Sequence, residues 1–125
     1  MSTKRIFIAF AKEDESQRNL LKGQSLHTDS PFEYVDLSVK EPYQTEWKER
    51  VRTRIRSSDG VIVLVSRHTA AAAGQLWEIR CAIEEGKPVV GLWAYSSDHT
   101  RPSAMAGVRI IEWSWPAIAS FIDAL

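Results

Sequence analysis

Apolar positions in this chain are bunched into short runs separated by polar stretches. Ile6-Phe7-Ile8-Ala9-Phe10 and Val61-Ile62-Val63-Leu64-Val65 are continuous runs rich in β-branched residues, the signature of strands covered on both faces. Phe32-Glu33-Tyr34-Val35-Asp36-Leu37 alternates instead and predicts a strand nearer a sheet edge. Pro88-Val89-Val90-Gly91-Leu92-Trp93 and the short stretch Val108 to Ile111 complete the predicted strands.

Helical spacing fills the intervals. Acidic Glu13-Asp14-Glu15 suits a helix amino terminus, with Leu20 and Leu21 as its apolar contacts, Gly23 as its stop and a loop from Gln24 to Pro31 behind it. From Thr45 to Ser58 two periods compete. Val51-Arg52-Thr53-Arg54-Ile55-Arg56 alternates like a strand, whereas Trp47, Val51 and Ile55 recur every fourth residue. Helix is preferred, because that set covers the whole segment, Thr45 can cap it, and a following parallel strand needs a crossover. Ser57-Ser58-Asp59-Gly60 is a turn cluster. Leu76, Ile79 and Ile83 mark the predicted sheet-facing side of a third helix that ends at Gly86. Tyr95 to Met105 reads as a polar loop, and Ser114-Trp115-Pro116 starts a last helix, with Pro116 in the first turn where its missing N–H costs little.

This alternation of strands and helices predicts an α/β fold with a parallel sheet and helices on both faces. The expected architecture is a flavodoxin-like three-layer sandwich, a five-stranded parallel sheet of order 2-1-3-4-5, in a single domain over residues 1–125. Ligands of such sheets bind at the carboxyl ends of the strands, near the switch point between the first and third. That predicts a site around Phe10 to Asp14 and Ser66 to Thr69.

Composition narrows the ligand class. A chain of 125 residues, 44% hydrophobic, can fill one core without staples. Lysine plus arginine total 16 and aspartate plus glutamate 16, and the balance holds in both halves, which argues against bulk attraction to nucleic acid or anionic membrane. The single cysteine, Cys81, excludes an intrachain disulfide and a multi-thiolate zinc site. No apolar run approaches the ~20 residues that span a bilayer. A soluble, cytoplasmic protein is the expectation.

Several chemistries of this architecture are missing their motifs. Phe10 is followed by Ala11-Lys12-Glu13, neither a phosphate-binding loop nor a dinucleotide fingerprint. Ser66 ends the third predicted strand, where a phosphoacceptor receiver domain needs aspartate. His27, His68 and His99 fall in predicted loops without metal-ligand spacing, so no metal site is expected. Cys81 is expected to be a buried structural thiol. Helical spacing scatters Arg50, Arg52, Arg54 and Arg56 around a cylinder and disfavours a nucleic-acid stripe. Trp47 and Trp93 are expected in the core. For Trp77, Trp113 and Trp115, core or partner packing is preferred to base stacking.

Leu76-Trp77-Glu78-Ile79 stands out. With Leu76, Ile79 and Ile83 facing the sheet, Glu78 falls roughly 130° from the centre of that face at ~100° per residue, outside the core. A carboxylate there suits stabilisation of an oxocarbenium-like transition state and the binding of ribose hydroxyls. An ordinary exposed helix glutamate explains the pattern equally simply, and pattern alone favours that reading.

Lys4-Arg5-Ile6-Phe7-Ile8-Ala9-Phe10, the segment Phe32 to Pro42, Trp47-Lys48, Arg54-Ile55, Ser58 to Val65, Leu76-Trp77-Glu78-Ile79 and Gly86-Lys87-Pro88-Val89 together resemble a bacterial TIR-like domain of the Thoeris antiphage defence type. The resemblance spans Lys4 to about Trp93. It implies a flavodoxin-like fold and cleavage of the nicotinamide–ribose bond of NAD+, with NAD+ as substrate and no further cofactor. By motif position it implies Glu78 as the catalytic residue. It places substrate contacts at Phe10, Ala11 and Lys12 after strand 1, at Asp36 and Ser38 after strand 2, and at Ser66 after strand 3. Many TIR domains carry a tryptophan four residues before the glutamate, where this chain has Gly74; the adjacent Trp77 matches the Thoeris-like branch and joins the expected contacts. The resemblance also implies a cyclic ADP-ribose-type signal that reaches a separate effector. Activation by a trigger or by self-association is the accompanying expectation. Without a fused effector segment, the chain is expected to act through something diffusible or through another protein. The alternative is a non-catalytic interaction module that presents the Ser38 to Gln44 loop and exposed tryptophans to a partner. Nucleic-acid binding through the arginine helix ranks last.

Overall fold

The computed structural model describes residues 4–26, 33–34 and 46–125. The strands are β1 (Arg5–Ala9), β2 (Glu33–Tyr34), β3 (Gly60–Val65), β4 (Val89–Trp93) and β5 (Ile110–Ile111). The helices are α1 (Glu15–Leu26), α2 (Glu46–Ser57), α3 (Ala73–Glu84) and α4 (Trp115–Asp123). The sheet has the expected order, β2-β1-β3-β4-β5, and every pairing is parallel, with Ile6 opposite Gly60 and Val61 opposite Val89. All of β3 is buried, as a continuous apolar run in the centre of a parallel sheet must be.

Period-two alternation sends successive side chains of each strand to opposite faces. Ile6, Ile8, Ile62 and Leu64 meet Leu21 of α1 and Ile118 and Ile122 of α4. Phe7, Ala9, Val61 and Val63 meet Val51 and Ile55 of α2 and Ile79 and Ala82 of α3. Each fully buried large apolar side chain contributes about 1.5–3 kcal/mol relative to exposure, and the two clusters hold helices on both faces of the sheet. The chain is therefore an α/β sandwich of flavodoxin-like order. Trp47 falls in α2 as expected, its side chain not being among those described, and the cap expected of Thr45 lies outside the described residues.

Several boundaries differ from expectation. Gly23 does not stop α1, which continues to Leu26. Its backbone stays out of the positive-φ region, whereas Gly86 adopts φ 70° and closes α3 in a Schellman turn. There the Gly86 N–H donates to Ile83 O at 3.0 Å and the Lys87 N–H to Ala82 O at 3.1 Å. Pro88 behind Gly86 makes that stop firm; no proline follows Gly23 closely. Leu20, expected to pack, is 57% exposed, while Leu21 is core. The last strand is shortened to Ile110–Ile111. The polar loop from Tyr95 contains a 3-10 turn, Ser103–Met105, that delivers Met105 fully into the α2/α3 side of the core. Trp93 is half-buried and stacks on His99, with ring centroids 4.6 Å apart. The last helix starts as expected: Ser114 caps it by accepting from the Ala117 N–H at 3.3 Å, with Pro116 in its first turn.

The sheet-facing side of α3 is the largest correction. Its buried residues are Gln75, Glu78, Ile79, Cys81 and Ala82, while Ile83 is 52% exposed. The face is turned about a quarter of a revolution from the one Leu76, Ile79 and Ile83 predict. Glu78 thereby passes from the outside of the helix to its buried side.

Candidate functional site

Parallel β1 and β3 end side by side, and the segments that follow them are stitched together by side chains. After β1 the chain makes a 3-10 turn over Lys12–Asp14 that turns the Asp14 carboxylate inward, fully buried. Ser66, just past β3, donates its hydroxyl to Asp14 Oδ2 at 2.5 Å, and Tyr95, just past β4, donates its phenol to Asp14 Oδ1 at 3.1 Å. One carboxylate thus ties the carboxyl ends of β1, β3 and β4. A buried carboxylate is tolerable where charge-assisted hydrogen bonds of this kind replace water. Burial, and then the bond to Asp14, push the Tyr95 phenol above its ordinary range, so it stays protonated as the donor.

The loop after β3 is fixed in the same manner. The His68 N–H donates to Ser66 Oγ at 3.0 Å, and the Ser66 N–H to Thr69 Oγ1 at 3.1 Å. The Arg67 N–H donates to Asp98 Oδ2 at 2.8 Å. That bond, followed by the one from the Thr100 hydroxyl, holds the Asp98 carboxyl below the usual carboxylate range.

Helix α3 is anchored over the same edge. Gln75 Nε2 donates to Ala9 O at 3.1 Å, in the last residue of β1, and to Leu64 O at 2.7 Å in β3. Its Oε1 is buried without a hydrogen bond among the described residues. Glu78, 0% exposed, lies one turn further along the same buried face.

The expected contact residues distribute unevenly around this frame. Phe10 and Ala11 are buried, and the Arg18 guanidinium lies 5.1 Å from the centre of the Phe10 ring, so their side chains meet a ligand only after rearrangement. Lys12 is exposed. The Ser66 hydroxyl is engaged by Asp14 and His68. Trp77 points towards α2, where Arg52 and Lys48 approach its ring at 5.5 and 6.0 Å. Asp36 and Ser38, with His27, lie outside the described residues. Cys81 is buried, and burial pushes its thiol up from the ordinary value, which suits the structural thiol expected. Among the described residues no group of three or more His, Cys, Asp or Glu side chains is placed to hold a metal ion. No helix among them is long and apolar enough to cross a membrane.

Sequence reasoning missed Asp14 as a hub, and missed Gln75, Tyr95 and Asp98 altogether. Gln75 left one signal: it stands three residues before Glu78, at the spacing that shares a helix face. The partners of Asp14 lie 52 and 81 residues away and leave no local pattern.

A parallel α/β sandwich with polar side chains gathered over the ends of β1, β3 and β4 defines the class: a flavodoxin-like domain with its crevice at the switch point. Residues 7–99 match the family described as Thoeris protein ThsB, TIR-like domain, and the chain belongs to that family. A search of curated proteins gives no significant match. Among solved structures, the chain is similar to a 3-dehydroquinate dehydratase-like protein from Bifidobacterium longum, at 16% identity and a TM-score of 0.50, over 98% of this chain and 94% of that one. At that identity the likeness concerns the fold alone.

Proposed function

We propose that the chain cleaves NAD+ between nicotinamide and ribose, with Glu78 as the catalytic carboxylate. The observation that carries the reading is the full burial of Glu78 on α3, one turn from the Gln75 amide bonded to the ends of β1 and β3. Burying a carboxylate costs several kcal/mol of hydration, and an apolar residue there would extend the core. A site of this kind suits charge stabilisation, because a carboxylate screened from water acts more strongly on positive charge developing at ribose C1′. As the C–N bond breaks, its electron pair leaves with neutral nicotinamide. The C1′ cation is captured by water, which loses a proton and gives ADP-ribose, or by a nucleophilic atom of the same ADP-ribose, which gives a cyclic product. Membership of the Thoeris family supports a signalling role for such a product towards a separate effector, with Phe10, Ala11, Lys12, Asp36, Ser38, Ser66 and Trp77 as the proposed substrate surroundings. The same burial means that substrate reaches Glu78 only after rearrangement, which fits activity that awaits a trigger or self-association.

Burial of Glu78 also favours a second reading, in which the glutamate is structural and the domain only binds partners. Incubation of purified protein with NAD+, alone and with infected-cell lysate, separates the two by mass spectrometry. Release of nicotinamide that falls about a hundredfold or more in Glu78→Gln supports catalysis. Intact NAD+ under every condition, or equal turnover by Glu78→Gln, removes Glu78 from that role.

A further inference from the structure

A cavity of about 390 Å³ lies over the carboxyl end of β4, against α1 and the segment after β5. Glu78 is not among its lining residues. Its volume falls in the range of small-molecule sites, about 300–1,000 Å³. Trp93, Tyr95 and Trp113 contribute aromatic walls, and Leu20, the exposed leucine of α1, closes one side. Walls of this kind select flat, polarisable rings.

The polar groups select further. Glu112 lines the cavity, and no lysine or arginine does so among the described residues. His99 stands beside Glu112, its Nε2 3.3 Å from Oε1, and stacks on Trp93. The contact leaves the carboxylate further acceptor positions. The Gln17 amide N–H donates to Ala94 O, so its carbonyl oxygen is the part left to accept. Glu112 and the Gln17 carbonyl therefore ask the ligand for N–H donors, while the Ser96 and Ser97 hydroxyls, which also line the cavity, can donate or accept. Among the described lining residues, a phosphate would meet the Glu112 carboxylate with no lysine or arginine to offset it.

We propose that this cavity binds a planar, amino-bearing heteroaromatic without phosphate, neutral or cationic, of the free-base or nucleoside class. The site is separate from the one assigned to NAD+ cleavage, and the proposal stands whether or not Glu78 is catalytic. The full chain is titrated with adenosine and with AMP, followed by tryptophan fluorescence and saturation-transfer NMR. Adenosine is expected to quench the fluorescence and to bind about tenfold more tightly than AMP, a difference of ~1.4 kcal/mol. Glu112 is exposed, so Glu112→Lys should keep the fold, checked by circular dichroism, and should invert the order in favour of AMP. Absence of adenosine binding, equal affinity of the wild type for both probes, or an order unchanged in Glu112→Lys would overturn the proposal.

Discussion

Asp14 shows how much one side chain carries here. Its two oxygens accept from Ser66 and Tyr95, and it is fully buried. Asp14→Ala strands a buried Ser66 hydroxyl and removes the anchor of Tyr95. Each unsatisfied buried group costs about 1–3 kcal/mol, so the variant should lose about 2–4 kcal/mol in urea unfolding. Tyr95→Phe removes one donor only and should lose about 1 kcal/mol. Equal losses in the two variants would show that Asp14 is not the hub. Glu78 gives the converse lesson. Its candidacy was legible from the family likeness, but its burial was not. Leu76 and Ile83 are apolar and drew the predicted face towards themselves, yet Leu76 is only partly buried and Ile83 is exposed, and exposed apolar residues are ordinary on protein surfaces. The residues that turn inward instead include two polar ones, and Gln75 does so because backbone carbonyls of β1 and β3 await it.

At the scale of elements, α2 and α3 are held together by an ion cluster. Arg52 reaches Glu85 at 2.6 Å and Glu84 at 3.1 Å, and Arg56 reaches Glu85 at 2.8 Å. Hydrogen bonds from Arg56 and then Arg52 hold the Glu85 carboxyl below its ordinary 4.5. A depressed carboxylate contributes stability that is fully present above the unfolded value and is lost as pH falls through the folded one. The stability gap between the wild type and Glu85→Gln should therefore be constant near neutrality and shrink on acidification below about pH 4.5; a gap that persists unchanged to pH 3 would remove the cluster from the acid limb. The arginines that helical spacing scatters around α2 thus include two, Arg52 and Arg56, that pair with the end of α3. Strand β4 makes a steric demand of its own. A Cβ added at Gly91 would lie 2.8 Å from Ile110 Cγ1 and 2.9 Å from Met105 Cε, so Gly91→Ala should cost about 1–3 kcal/mol through overpacking. Unchanged thermal unfolding in that variant would mean that Met105 and Ile110 yield freely.

Across the whole molecule, the sequence by itself determined the layered α/β class, the strand order and the sheet edge over which the polar side chains gather. Runs of β-branched residues can be satisfied only by burial on both faces, and parallel neighbours require crossovers, so few topologies remain. These are properties of local pattern and chain connection. Tertiary structure alone decided which face of α3 turns inward, which residues tie the crevice together and where a cavity opens beside β4. Those outcomes depend on pairs such as Asp14 with Tyr95, 81 residues apart, and Gln75 with Ala9, 66 apart. Hydropathy is a property of each residue in turn, whereas a hydrogen bond across the sheet edge is a property of two, and only the folded chain brings both to the same place.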